Sequence, residues 1–207
     1  KNVTTFKVGD KAGVGCMVDS CGKCNSCKNG TEQYCDNHAT LWTYGTPHPV
    51  MGGVTQGGYA DIIVVQQHFV IKIPHSMDLQ YAAPLLCAGV TTYSPIVLNK
   101  VDKGMKVGIA GIGGLGHIAV QLAASLGAEV YAFTTSADKV ADIKKFGAKE
   151  VIVVDDPNKL RPWFGKMDYM VSTIPAKYNI GAYTSLVKPY GHYTKLGLPA
   201  GELSFIN

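Results

Sequence analysis

Charge is scarce in this chain: Asp, Glu, Lys and Arg together make up 16% of 207 residues. The formal net charge is +4, and the lysines are scattered rather than run together, which excludes the concentrated basic face of a nucleic-acid binder. No uninterrupted apolar run approaches the length of a membrane span, so no membrane partner is expected. The chain opens Lys1-Asn2-Val3-Thr4-Thr5, without a starting Met or an apolar leader, so no export is expected and a cytoplasmic location is. Internal repeats and low-complexity stretches are absent too. What remains is a composition for packing: 46% hydrophobic residues exclude wholesale disorder, and 24 glycines imply many tight turns.

Cysteine is concentrated in one place. Cys21, Cys24, Cys27 and Cys35 follow a C-x2-C-x2-C-x7-C pattern inside fifteen residues rich in Gly, Lys, Asn and Ser. Thiolates this close can converge from one loop on a tetrahedral ion, and four sulfurs are a usual shell for structural zinc. An iron–sulfur cluster is the alternative metal reading. Two disulfides would need an oxidising compartment that nothing else in the sequence suggests. Such a lobe holds a loop and by itself catalyses nothing.

The two halves differ in texture. Up to about residue 75, short apolar runs such as Phe6–Asp10 and Tyr59–Val65 alternate with Gly and polar turns, which predicts a β-rich unit with the cysteine loop as an excursion. Around Pro74 the pattern changes, and Asp78–Gly89 and Thr91–Leu98 are expected to be helical. From Lys106 onward, expected strands at Val107–Ile112, Glu129–Phe133, Glu150–Val154, Asp168–Ile174 and Gly191–Gly197 alternate with helices. The clearest helical stripe is Leu115, Ile118, Ala119, Leu122, Ala123 and Leu126. Strand–helix–strand repetition implies a parallel sheet with both faces covered. The expected domains are residues 1–98, with the lobe at 21–35, and residues 99–207.

Between the first of these strands and its helix stands Gly111-Ile112-Gly113-Gly114-Leu115-Gly116. A lone G-x-G-x-x-G is weak, but strand before and helix after supply the context for binding a pyrophosphate on backbone N–H groups. Units of this kind that bind NAD place an acid at the end of the second strand for the ribose hydroxyls. Here that end reads Phe133-Thr134-Thr135-Ser136-Ala137-Asp138-Lys139. Hydroxyls at Thr134, Thr135 and Ser136, followed by the Lys139 ammonium, favour the 2′-phosphate of NADP, although Asp138 tempers this. The same Thr and Ser residues also suit the start of a helix, and the two roles are compatible.

Lobe, β-rich first half and nucleotide fold, in this order, resemble the zinc-dependent medium-chain alcohol dehydrogenases, in particular their NADP-dependent cinnamyl-alcohol-dehydrogenase-like group. The matching segments are Gly13-Val14-Gly15-Cys16, the four cysteines, Gln56-Gly57-Gly58-Tyr59, Ala82–Pro95 and Gly111–His117. The resemblance implies an α/β protein, a Rossmann dinucleotide-binding domain joined to an incomplete GroES-like β domain. It implies hydride transfer between NADP(H) and an alcohol or aldehyde, with a structural and a catalytic zinc and a homodimeric parent. By position, Cys87 corresponds to a catalytic-zinc ligand, though a Cys among Leu85, Leu86 and Ala88 is otherwise a small hydrophobe. Thr91, and Ser172, Thr173, Ile174, Gly197 and Leu198 at two strand ends, correspond to positions around the nicotinamide. Trp42 matches a substrate-pocket aromatic, or else anchors the loop after the lobe. Cys16 is expected in the core, and His117 at the helix start or beside the phosphate. His38, His48, His68, His75 and His192 share no metal-ligand spacing.

In the family, the remaining catalytic-zinc ligands (a Cys and a Gly-His-Glu segment) and the proton-passing Thr or Ser and His lie upstream of the position matching Lys1. Phe205-Ile206-Asn207 falls before the family's last strand and dimerising helices. The 207 residues alone are therefore expected to be inactive. Two alternatives stay open: an NAD-dependent polyol or formaldehyde dehydrogenase of the same superfamily, and a non-catalytic zinc- and nucleotide-binding module.

Overall fold

The computed structural model describes residues 2–198. Lys1 and residues 199–207, including the Phe205–Asn207 segment, lie outside the described residues. The chain divides into two compact units, Lys1–Cys87 and Ala88–Asn207.

The first unit is built from short antiparallel pairs. Strand β1 (Ala12–Val14) pairs with β6 (Val70–Lys72), β2 (Met17–Asp19) with β3 (Leu41–Trp42), and β4 (Tyr44–Pro47) with β5 (Val54–Gln56). The cysteine lobe leaves the ladder after β2 and returns at β3, so it is an excursion between paired strands, and it carries the four-residue helix α1 (Asn25–Lys28). Two expected strands do not form. Phe6–Asp10 is a turn: Gly9 takes φ +92°, and Lys7 N donates to the Asp10 carboxylate at 3.1 Å. Tyr59–Val65 has no ladder partner among the described residues, and Ile62 and Val64 stand 82% and 94% exposed. An apolar run becomes a strand only when a neighbour supplies the other half of the hydrogen bonds.

One helical stretch crosses the division point. It comprises α2 (Leu79–Pro84), a wide π-turn over Leu85–Gly89, and α3 (Val90–Leu98). Asp78 caps its start by accepting from Gln80 N. Pro84 and Pro95 both lie inside the stretch and lack N–H groups, so the regular i→i−4 ladder is interrupted there. Its 20 residues, mean hydropathy 1.3, are long and apolar enough by length and composition to cross a membrane. It is not an unbroken apolar run: Gln80, Tyr81, Thr91, Thr92 and Ser94 interrupt it without lowering the average enough to fail that test.

The second unit is a five-stranded parallel sheet in the order β11-β10-β7-β8-β9. Its elements are β7 (Lys106–Ala110), α4 (Gly116–Ser125), β8 (Glu129–Thr134), α5 (Val140–Lys145), β9 (Glu150–Val153), β10 (Met167–Ser172), α6 (Ile180–Thr184) and β11 (Val187–Lys195). All five expected strands are present with ends shifted by a few residues. Alternation divides their side chains between two cores. Val107, Ile109, Val130, Ala132, Tyr169 and Val171 face one, with Ala119 and Ala123 of α4. Ala110, Tyr131, Phe133, Met167 and Met170 face the other. Both faces are dry, which is why these strands read as continuous apolar runs. Numbered from β7, the strand order is that of the classic dinucleotide fold, and it reverses between β7 and β10; ligands of such sheets bind outside the strand ends at that point.

At the opposite edge, Asp168 ties β10 to its neighbours by accepting from Lys106 N at 2.8 Å and pairing with Lys188 Nζ at 2.7 Å. Burial opposes its charge, but the Lys188 and Lys106 contacts outweigh it and hold the carboxyl below its ordinary value of 3.8. A lowered carboxylate stabilises the fold above that ordinary value, and the contribution fades as pH falls through the lowered one. Asp168→Asn should cost about 1 kcal/mol at pH 7. In urea unfolding the gap from the unmutated chain should narrow as pH falls below that ordinary value; a gap independent of pH would contradict the ionic assignment.

Candidate functional site

Four sulfurs meet in the first unit. The Sγ atoms of Cys21, Cys24, Cys27 and Cys35 all lie within 4.8 Å of one another. Cys21–Cys27 and Cys24–Cys35 are 3.8 and 3.9 Å apart. A tetrahedron with zinc–sulfur arms of about 2.3 Å has edges of about 3.8 Å, so the donor set fits one ion. A polynuclear iron–sulfur cluster interposes its own sulfides and needs the cysteines farther apart. Local structure aims the sulfurs. Cys24 caps α1, its Sγ accepting from Cys27 N and Asp36 N at 3.4 Å each, and Asn37 Nδ2 donates to Cys21 Sγ at 3.2 Å. Asp36 in turn receives Asn25 N at 3.2 Å and Ser26 Oγ at 2.5 Å. Backbone N–H groups of Lys23 and Cys24 hold the Cys21 pKa at about 6, so this sulfur is a thiolate ready for metal at neutral pH. His68 Nε2 lies 2.6 Å from Glu32 Oε1 and pins the lobe from outside.

Cys87 stands in the π-turn and lines a cavity of about 340 Å³ with Val14, Gly15, Cys16, Trp42, Tyr44, Ala83 and Leu86. Trp42 and Cys87 are thus brought together, with Trp42 42% exposed. Cys16 is exposed rather than in the core, its Sγ 3.9 Å from Leu86 O. Among the described residues, no His or carboxylate lines this cavity. Two sulfurs fall short of the three protein ligands a catalytic zinc takes, so the described residues do not complete such a site.

The second unit carries a cavity of about 470 Å³ at the carboxyl ends of its strands. It collects Gly111, Gly113, Gly114, Leu115, Thr134, Thr135, Ser136, Lys139, Thr173, Ile174, Gly197 and Leu198 from the expected nucleotide residues. Gly111 turns at φ +83°, and a Cβ on Gly116 would lie 2.0 Å from Gly111 O, so helix and loop touch backbone to backbone. Cβ positions on Gly113 and Gly114 meet nothing within 4 Å, which leaves an open cradle for an anion. Thr134 Oγ1 accepts from Ser136 N at 3.1 Å and shapes the turn. Ser136 occupies an N-cap position without a side-chain capping bond, so its hydroxyl is available to a ligand. The hydroxyls and Lys139 suit a phosphate, and Asp138 does not line the cavity.

Three expected residues lie elsewhere. Gly116 is beneath the loop, Ser172 is fully buried at the end of β10, and Thr91 is half-buried on α3, outside the cavity lining. His117 is in the first helical turn, its Nδ1 3.0 Å from Gly113 O and its ring against Phe146. The sequence reading missed Ile112, Phe133, Pro175 and Tyr183, which complete the cavity wall together with Leu196 beside Gly197. Ile112 sat inside the motif and Phe133 beside Thr134; Pro175 and Tyr183 carry no local signal.

Comparison with known proteins now adds to the geometry. Residues 1–75 match the alcohol dehydrogenase GroES-like domain, and residues 114–207 match the zinc-binding dehydrogenase family. The two matches together take in most of the chain, which is similar to the zinc-binding medium-chain alcohol dehydrogenases, in the group of cinnamyl alcohol dehydrogenases and NADP-dependent alcohol dehydrogenases. It is 44% identical over 203 residues to the NADP-dependent alcohol dehydrogenase C 1 of Mycolicibacterium smegmatis, covering 95% of this chain and 56% of that protein. Among solved structures it resembles a cinnamyl alcohol dehydrogenase of Sorghum bicolor (TM-score 0.92, 38% identity, 98% of this chain and 58% of that one). It also resembles the CAD of Helicobacter pylori complexed with NADP(H) (TM-score 0.88, 40% identity, 95% and 55%). The chain therefore spans little more than half the length of these relatives.

Proposed function

We propose that this chain is part of an NADP(H)-dependent alcohol dehydrogenase or aldehyde reductase acting on primary alcohols and aldehydes of the cinnamyl type. The observation that carries the cofactor reading is electrostatic: among the described residues, Lys139 is the one charged residue lining the nucleotide cavity. A carboxylate there would repel a 2′-phosphate; the hydroxyls of Thr134, Thr135 and Ser136 with an ammonium attract it. The glycine loop would hold the pyrophosphate, and Thr173, Ile174, Gly197 and Leu198 would border the nicotinamide end. The nicotinamide, when bound, exchanges a hydride with the carbonyl carbon of the substrate. Trp42 offers a flat apolar wall suited to an aromatic substrate, and Cys87 is this chain's contribution to the family's catalytic zinc, a site needing two further ligands. The reading extends to a homodimeric parent in the cytoplasm, the latter because the four-thiol lobe suits a reducing compartment.

The test is a fluorescence titration of the unmutated chain with NADPH and NADH. NADPH should bind tighter by roughly a hundredfold, as expected for charge-assisted bonds to one phosphate. Comparable affinities would overturn the assignment and favour an NAD-dependent polyol or formaldehyde dehydrogenase.

A further inference from the structure

We propose that Tyr178 is a positioning residue for the nicotinamide half of bound NADP(H), its hydroxyl fastening the loop that walls this end of the cavity to the last two strands. The inference rests on the nucleotide reading above. The loop leaves the sheet after Ser172 and has no regular structure until α6; its Thr173, Ile174 and Pro175 line the cavity. Tyr178 folds back, its Oη 2.6 Å from Ser172 Oγ and 2.5 Å from Tyr193 Oη. Ser172 is fully buried at the end of β10, and Tyr193 belongs to β11. One phenol therefore closes the loop onto both strands at once. Burial pushes the Tyr193 hydroxyl upward, so it stays protonated at any working pH.

A second tie acts on the same loop. Lys195 Nζ donates to Ile174 O at 3.2 Å and sits 4.9 Å from the centre of the Tyr178 ring, while Tyr183 of α6 meets that ring edge-on at 5.3 Å. The position of Ile174 matters because its carbonyl touches the opposite strand end. A Cβ on Gly197 would lie 2.1 Å from Ile174 O, so the two backbones pack without a side chain between them. A loop shifted at Ile174 changes the distance between these two walls. Tyr178 does not itself line the cavity, and none of its hydrogen-bond partners belongs to the glycine loop or to Thr134–Lys139. Its loss should therefore be felt at one end of the dinucleotide.

The experiment titrates the unmutated chain, Tyr178→Phe and Tyr193→Phe with NADPH and with adenosine 2′,5′-bisphosphate, which lacks the nicotinamide half. Tyr178→Phe should weaken NADPH roughly tenfold, because it leaves the buried Ser172 hydroxyl and the Tyr193 hydroxyl short of a partner. The bisphosphate should bind within about twofold of the unmutated chain, the scatter expected of a change that removes no contact to it. Tyr193→Phe keeps the Ser172 bond and should show the same split at smaller size; it also serves if Tyr178→Phe does not fold. Equal weakening of both ligands by the folded variants, or unchanged NADPH binding, would overturn the positioning role. Failure of the unmutated chain to bind the bisphosphate would instead bring down the nucleotide reading, and the inference with it.

Discussion

Replacing Cys24 by Ser is expected to empty the lobe of zinc and to unfold the excursion around residues 20–40. Elemental analysis of the unmutated chain should find about one zinc and no iron, since four sulfurs at tetrahedral spacing close one shell. Cys24 is the most consequential of the four to lose, because its sulfur also caps α1 and receives two backbone N–H groups. Structural zinc sites contribute apparent folding free energies of about 10–16 kcal/mol at neutral pH, far more than hydrogen bonds alone could restore in so polar a loop. The variant should hold less than about a tenth of the zinc, as expected once one of four ligands is lost. Hydrogen exchange should become fast across the lobe and stay slow in β7, β8 and β10, which have their own buried cores. Full zinc retention, or iron in the unmutated protein, would contradict the assignment.

Thr134→Asp should invert the cofactor preference. The residue stands at the end of β8 on the cavity lining, and its Oγ1 accepts from Ser136 N. A carboxylate there can accept the same N–H, so the turn should persist and the change should act on the ligand. It would repel a 2′-phosphate and accept instead from ribose hydroxyls. The NADPH-to-NADH affinity ratio should fall by roughly a hundredfold or more, about 2.8 kcal/mol. A ratio unmoved by the substitution would show that Thr134 and the residues after it do not hold the phosphate.

The parallel sheet was legible because its evidence is local. Val107, Ile109, Val130 and Val171 are apolar in runs that only a sheet buried on both faces tolerates, and the glycine loop sits where strand meets helix. The four cysteines were legible for the same reason, since C-x2-C-x2-C places three ligands on one short segment. Tyr59–Val65 was misread because its pattern is that of a strand while its partner is a matter of tertiary pairing. Cys16 was misplaced because its burial depends on what packs against it from elsewhere in the fold, and its neighbours in sequence do not decide that.

By itself, the sequence determined which chemistry is available: four thiolates for one ion, a glycine loop for a pyrophosphate, and hydroxyls with an ammonium where an acid would select NAD. Tertiary structure alone decided where these meet and what surrounds them. It brought Thr134, Thr135, Ser136 and Lys139 to the same cavity as Gly111–Leu115, added Pro175 and Tyr183 to the wall, and set Tyr178 against Ser172 and Tyr193. Periodicity and spacing are properties of one segment, whereas a cavity wall or a shared hydroxyl network arises when segments far apart in sequence pack together, and no single segment carries that information.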